Sequence, residues 1–152
     1  MPNSPYPGII FRKTKKYGMS IFARKNFRKG EIVFVVSGSI IKTPSIYTVP
    51  IDFNLYIDPL PPGRFLNHAC EPSCGIKKRT EVVAMKNLKK GDEITIDYGM
   101  IVPKYDSTIL KQNIVCRCGS KNCRGEFGSY EKLTPELKRK YKGFVSDYLR
   151  PH

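Results

Sequence analysis

The chain has 152 residues, 40% hydrophobic and 26% charged, which suits one domain with a single buried core. No apolar run approaches the roughly 18 residues of a transmembrane helix, and the start of the chain lacks the pattern of a signal peptide, so no membrane attachment is expected. The net charge is +14, with eight Lys or Arg and no acid in residues 1–30; this predicts attraction to nucleic acid or another polyanion, the plainer expectation being a solvated basic surface.

Strand signals dominate the pass along the chain. Gly8-Ile9-Ile10-Phe11 and Ser20-Ile21-Phe22-Ala23 are short β-prone runs. Asn26-Phe27-Arg28-Lys29-Gly30-Glu31 reads as a turn into a buried strand, Ile32-Val33-Phe34-Val35-Val36, which is expected to stop at Ser37-Gly38. Loop and a short strand are expected between Pro44 and Pro50. Asn54-Leu55-Tyr56-Ile57-Asp58 alternates polar and apolar, and Pro59-Leu60-Pro61-Pro62-Gly63 ends it. Glu81-Val82-Val83-Ala84-Met85 is a further strand. Leu88-Lys89-Lys90-Gly91-Asp92-Glu93 turns into Ile94-Thr95-Ile96-Asp97-Tyr98. No internal repeat is read from the sequence. One helix is expected near the end. Thr134 suits its N-cap, Pro135 its first position and Glu136 its first turn. Leu137, Tyr141, Phe144, Val145, Tyr148 and Leu149 then recur at helical spacing up to Pro151.

The five cysteines carry the strongest local signal. Cys116, Cys118 and Cys123 form a C-x-C-x₄-C cluster, too tight for all three to pair off as disulfides. Clustered, odd-numbered cysteines fit a reducing intracellular compartment, cytoplasmic or nuclear, and metal binding. Tetrahedral zinc needs a fourth soft ligand, so Cys70 or Cys74 is expected to return to the cluster and clamp the C-terminal part onto the middle of the chain. A small zinc-knuckle nucleic-acid binder would keep its four ligands local, which this spacing does not do.

Four segments in order are Lys16-Tyr17-Gly18-Met19-Ser20-Ile21-Phe22-Ala23, Arg64-Phe65-Leu66-Asn67-His68-Ala69-Cys70-Glu71-Pro72-Ser73-Cys74, Gly91-Asp92-Glu93-Ile94-Thr95-Ile96-Asp97-Tyr98-Gly99 and Cys116-Arg117-Cys118-Gly119-Ser120-Lys121-Asn122-Cys123-Arg124-Gly125. Together they resemble the SET-domain protein lysine methyltransferases with a zinc-binding post-SET segment, over about residues 9 to 128. The resemblance implies a mainly β SET fold of small curved sheets with knot-like threading. It also implies an N-terminal extension over 1–8, the SET domain over 9–110, the post-SET zinc segment over 111–128 and a C-terminal helix over 129–152. Two departures keep a small residue, Gly18-Met19-Ser20 for Gly-x-Gly and Ala69 for a serine; a third, Val35-Val36-Ser37-Gly38-Ser39 for Glu-Tyr-x-Gly-Glu, removes a tyrosine that in the family often helps line the active site. The variable insert is short, about residues 42 to 56, which moves substrate choice onto other surfaces such as the C-terminal helix.

The family's roles carry over residue by residue. S-adenosylmethionine, the methyl donor, is expected against Tyr17, Gly18, Met19, Tyr47, Asn67, His68 and Phe127. Tyr98 is the expected catalytic residue. Cys70, Cys116, Cys118 and Cys123 are the expected ligands of a structural Zn²⁺, leaving Cys74 a free, inert thiol. Ile96 and Ile76 stand where some members place a tyrosine that limits methylation, so di- or trimethylation is expected. The implied activity is methyl transfer to the ε-amine of a lysine in a protein, with a monomeric enzyme and a histone or other nucleic-acid-associated substrate. The alternative is a catalytically weak SET-like module that binds nucleic acid or chromatin through its basic surface.

Overall fold

The computed structural model describes residues 6–15, 18–104, 116–126 and 128–149. Among these residues ten strands form three small sheets. The first is ordered β1-β2-β10-β7, from β1 (Ile9–Thr14), β2 (Gly18–Ala23), β7 (Asn67–His68) and β10 (Glu93–Ile96). β10 runs antiparallel to β2 and parallel to β7, pairing Thr95 with Asn67 and Ile96 with His68. Although its sequence Glu93-Ile94-Thr95-Ile96 alternates polar and apolar, β10 has a strand on each side and is buried from Ile94 to Ile96; Ile94 and Ile96 are wholly buried. Each contributes about 1.5–3 kcal/mol of hydrophobic burial.

The second sheet is β3-β9-β8, from β3 (Ile32–Val35), β8 (Cys74–Lys77) and β9 (Glu81–Ala84). The third is β4-β6-β5, from β4 (Gly38–Ile41), β5 (Val49–Asp52) and β6 (Leu55–Pro59). Pro50 is tolerated in β5 because that strand lies at a sheet edge. β3 ends at Val35, before the stop the sequence suggested at Ser37-Gly38, and β4 begins at Gly38 itself. Gly38 allows the chain to continue, since a Cβ there would lie 2.0 Å from the Asp58 carbonyl oxygen.

The helix is shorter than its apolar spacing suggests. Thr134 caps it, accepting from the Leu137 N–H at 3.1 Å, but α1 covers only Pro135–Lys140. Gly143 then takes a left-handed φ of +86°. Tyr141, Val145, Tyr148 and Leu149 are still buried, along a path that is no longer an α-helix. Its backbone bonds to the body instead: Phe144 O accepts from Ile76 N, Ser146 N donates to Met100 O, and Asp147 N donates to Lys78 O. These tertiary bonds replace the i to i−4 ladder that helical spacing predicted.

An internal repeat that the sequence alone did not reveal is visible in the fold. Residues 25–31, Lys-Asn-Phe-Arg-Lys-Gly-Glu, correspond to residues 86–92, Lys-Asn-Leu-Lys-Lys-Gly-Asp. The two turns pack with reciprocal bonds, as a local pseudo-two-fold axis requires. Phe27 N donates to Leu88 O and Leu88 N to Phe27 O; Gly30 N donates to Ala84 O and Gly91 N to Ala23 O. The amides of Lys29 and Lys90 donate to the Asn87 and Asn26 side-chain oxygens at 2.9 and 3.0 Å.

Candidate functional site

The site is built where β7, the end of β10 and the cysteine segment meet. Asn67 ties β7 to β2: its side-chain amide donates to Met19 O at 3.0 Å and Ser20 Oγ at 2.8 Å. Beside them Gly18 is exposed, with a φ of +78° and open space where a Cβ would point. His68 is wholly buried. Its Nδ1 accepts from the Tyr98 backbone N–H at 2.9 Å, which places the ring proton on Nε2. Nε2 lies 3.5 Å from Cys70 Sγ and is therefore the donor toward it. Burial pushes the imidazole down to about 4, against the opposing pull of Asp97, so the ring is neutral.

Tyr98 opens the 3₁₀ turn Tyr98–Met100. Its phenol donates to Leu66 O at 2.8 Å and its ring packs against His68, with centroids 5.1 Å apart. Burial holds the phenol well above its ordinary range, so it remains an O–H donor. The tyrosine is thus fixed at its backbone by His68 and at its hydroxyl by the residue preceding Asn67.

Cys70, Cys116, Cys118 and Cys123 present Sγ atoms all within 4.8 Å of one another. Cys70 Sγ and Cys116 Sγ are 3.8 Å apart. Zinc bound to four thiolates at ~2.3 Å has a tetrahedral edge of about 3.8 Å, so the donor set fits that ion. The backbone supports the same arrangement. Arg124 N donates to Cys70 Sγ at 3.3 Å, Gly125 N to Cys123 Sγ at 3.4 Å, and Cys116 N to Gly125 O at 3.1 Å. Burial raises the Cys70 and Cys116 thiols. Burial also opposes ionisation of Cys118, but hydrogen bonds from the Cys70 and Ser120 backbones outweigh it and bring that thiol down to about 7. Cys74 stands apart from the cluster in β8, wholly buried, its thiol pushed up to about 12 by burial.

Three side chains to which the sequence assigned no site role bind these parts together: Asp97, Arg124 and Tyr141. Asp97 is wholly buried. Its Oδ1 accepts from Gly99 N at 2.9 Å; its Oδ2 accepts from Arg124 Nη2 at 2.6 Å and from the Tyr141 hydroxyl at 2.8 Å. One carboxylate thus joins β10, the cysteine segment and the C-terminal helix. A carboxylate inside the apolar run Ile94-Thr95-Ile96-Asp97-Tyr98, and an arginine directly after the last cysteine, were the available signals.

Gly18, Met19, Asn67, His68, Tyr98 and the four clustered cysteines form one connected region. Ile96 is the strand partner of His68 and is wholly buried. Ile76 is buried in β8. Tyr47 is 47% exposed in the loop before β5, with the Arg64 guanidinium 4.2 Å from its ring centroid. Tyr17 and Phe127 lie outside the described residues.

Comparison with known proteins agrees with this geometry. The chain is 30% identical over 143 residues to histone-lysine N-methyltransferase trithorax of Drosophila melanogaster, covering 78% of this chain and 4% of that protein. It is 28% identical over 169 residues to the H3 lysine-36 specific histone-lysine N-methyltransferase of Yarrowia lipolytica, covering 95% of this chain and 21% of that one. The chain therefore spans only a small part of either relative. In fold it matches the crystal structure of KRYPTONITE in complex with mCHG DNA and SAH, with a TM-score of 0.61 at 24% identity, over 77% of this chain and 28% of that one. Residues 18–99, more than half of the chain, match the SET domain family model. With three small sheets, a parallel β7–β10 pair carrying Asn67-His68 and Tyr98 just beyond the end of β10, the chain belongs to the SET domain family.

Proposed function

We propose that the chain transfers the methyl group of S-adenosylmethionine to the ε-amine of a lysine in a protein substrate, with Tyr98 as the catalytic residue. The observation that carries this reading is the double fixation of Tyr98, backbone N–H on His68 and hydroxyl on the Leu66 carbonyl. When bound, S-adenosylmethionine supplies an electrophilic sulfonium methyl. Gly18, Met19, Asn67 and His68 would hold it, the open space beyond Gly18 admitting a ligand close to the backbone. Tyr47, Tyr17 and Phe127 complete the proposed set.

A lysine of ordinary pKa near ~10.4 must lose its proton before it can attack. In this reading the lysine enters a desolvated channel beside buried Ile96 that would disfavour the ammonium, and the neutral phenol of Tyr98 with the Leu66 carbonyl would orient the amine. The proton leaves to water. Ile96 and Ile76 present no hydroxyl to anchor a water near the amine, which favours addition of further methyl groups.

Cys70, Cys116, Cys118 and Cys123 would hold a structural zinc, with no ligand position open for catalysis. The units proposed are an extension over 1–8, the SET domain over 9–110, the post-SET segment over 111–128 and a C-terminal helical segment over 129–152. The proposed substrate is a histone or another basic, nucleic-acid-associated protein, met by a monomer in a reducing compartment such as the nucleus. Incubation with methyl-labelled S-adenosylmethionine and core histones or a cell extract tests this. Lysine labelling by the wild type that Tyr98→Phe reduces by about 10²-fold or more is expected. No labelling by a folded, zinc-loaded wild type overturns the proposal and favours a binding module.

A further inference from the structure

The paired turns at residues 25–31 and 86–92 are a charged surface with a built symmetry. Three equivalent positions in each turn carry a cation: Lys25 and Lys86, Arg28 and Lys89, Lys29 and Lys90. All six are exposed. The reciprocal Phe27–Leu88 bridge and the two asparagine bonds hold the turns against each other, so these cations sit on a rigid platform rather than a floppy tail.

The two carboxylates of the motif do not cancel the patch. Glu31 accepts from Arg28 N at 3.2 Å, and Asp92 accepts from Lys89 N at 2.9 Å, so both are committed to closing their own turns. Glu31 also takes Lys25 Nζ at 3.0 Å. Among the described residues, Arg28, Lys29, Lys86, Lys89 and Lys90 have no carboxylate within 4.0 Å of their charged groups.

The apolar residue of each turn faces inward. Phe27 is 3% exposed and Leu88 1%, so the patch offers no aromatic surface on which single-stranded bases could stack. What remains is a dyad-related set of cations with sequence-neutral chemistry. Duplex DNA carries antiparallel phosphate backbones related by local dyads, and two-fold proteins match such symmetry.

We propose that this double turn is a docking surface for the phosphate backbones of duplex DNA. It deepens the partner reading above while standing apart from the transfer site. Asp92 precedes β10 and Tyr98 follows it, a separation of roughly 20 Å along extended chain. A duplex held at one end of β10 would leave the other end open to a lysine.

The test measures binding of the full chain to a 20-base-pair duplex DNA of mixed sequence by fluorescence anisotropy, at about 50 to 200 mM salt. The wild type should bind with a steep salt dependence. The variant Arg28→Gln/Lys29→Gln/Lys89→Gln/Lys90→Gln should bind at least tenfold more weakly, its log–log salt slope shallower by ~0.9 for each phosphate it no longer neutralises. The milder pair Lys29→Gln/Lys90→Gln should fall between them, and thermal melting confirms that both variants are folded. The control Lys138→Gln/Arg139→Gln/Lys140→Gln should bind as the wild type does. Wild-type affinity in the quadruple variant, an equal loss in the control, or tighter binding to single-stranded DNA or duplex RNA would overturn the proposal. Methyl transfer to a free histone-tail peptide is measured alongside. Its failure in the wild type would count against the enzymatic reading only, whereas unchanged transfer in a quadruple variant that no longer binds DNA supports the separation of the two surfaces.

Discussion

Replacing Arg124 by Met removes the guanidinium that holds Asp97 while keeping most of the aliphatic stem. Asp97 is wholly buried, and Arg124 Nη2 is its closest donor at 2.6 Å. Stripping one partner from a buried pair costs about 3–5 kcal/mol, because the other is left without compensation. Two features pull the expectation below that range: Arg124 is 28% exposed, and Asp97 keeps donors from Gly99 and Tyr141. A loss of about 2–3 kcal/mol in unfolding free energy follows, measured by urea denaturation of the zinc-loaded protein. Tyr141→Phe removes one hydrogen bond to the same carboxylate and should cost about 1.5–3 kcal/mol. The two losses should not add. Both act through one carboxylate, so the double variant should show a coupling energy of about 1 kcal/mol or more. The effect should also reach the metal, since the Arg124 backbone donates to Cys70 Sγ; chelator competition should show zinc held roughly tenfold more weakly. A change below about 0.5 kcal/mol in Arg124→Met, or strict additivity with Tyr141→Phe, would refute the idea that Asp97 fastens the cysteine segment to β10.

Three further outcomes are expected. Cys118→Ser should retain no stoichiometric zinc after dialysis against a chelator and should bind S-adenosylmethionine more weakly; a full zinc equivalent with unchanged affinity would remove Cys118 from the ligand set. His68, with a folded value of about 4 against an ordinary 6.5, stabilises the fold fully above pH 6.5 and loses that contribution as pH falls toward 4. The loss is of order 3 kcal/mol and should be missing from the difference curve of His68→Gln, so parallel pH profiles for the two proteins would contradict the buried neutral ring. Ile96→Tyr should shift the product on a lysine peptide toward monomethyl, read by intact mass, whereas a wild type that stalls after one methyl group would sink the aliphatic-wall argument.

The site was legible where chemistry leaves a residue-level mark. Four thiols at unusual spacing announced the cysteine cluster, and the run up to Tyr98 announced β10, whereas the two-residue strand at Asn67-His68 was not among the expected strands. Tertiary packing hid the rest. β8 contains Gly75, a poor strand former, yet a Cβ there would lie 2.4 Å from the Phe144 Cβ; it is the C-terminal segment that requires the glycine. The spacing of Tyr141, Val145 and Tyr148 predicted burial correctly and helix wrongly, because periodicity reports which residues are covered, not what their backbone bonds to. Asp97 escaped notice because a lone carboxylate in a strand gains meaning only when Arg124 and Tyr141 arrive from 27 and 44 residues away.

The pseudo-two-fold turns were hidden for a different reason. The match is only seven residues long, and three of its seven positions agree in residue class alone: Phe27 matches Leu88, Arg28 matches Lys89 and Glu31 matches Asp92. Each substitution preserves what the fold uses, which is a buried apolar plug, an exposed cation and a carboxylate that closes the turn. The local bonds require the asparagine, the glycine and the carboxylate. None of them requires Lys29, Lys90, Arg28 or Lys89 to be basic, since those residues enter the turns through backbone amides alone. Turn formation therefore does not require the charge at these positions, and the proposed duplex DNA partner would account for it. β10, buried on both faces between β2 and β7, links the basic turn to Tyr98 as a rigid element. Binding at the turn would thus fix the transfer site at a set distance from the duplex. A lysine on a flexible segment beside DNA could reach that site, and one rigidly held against the helix could not.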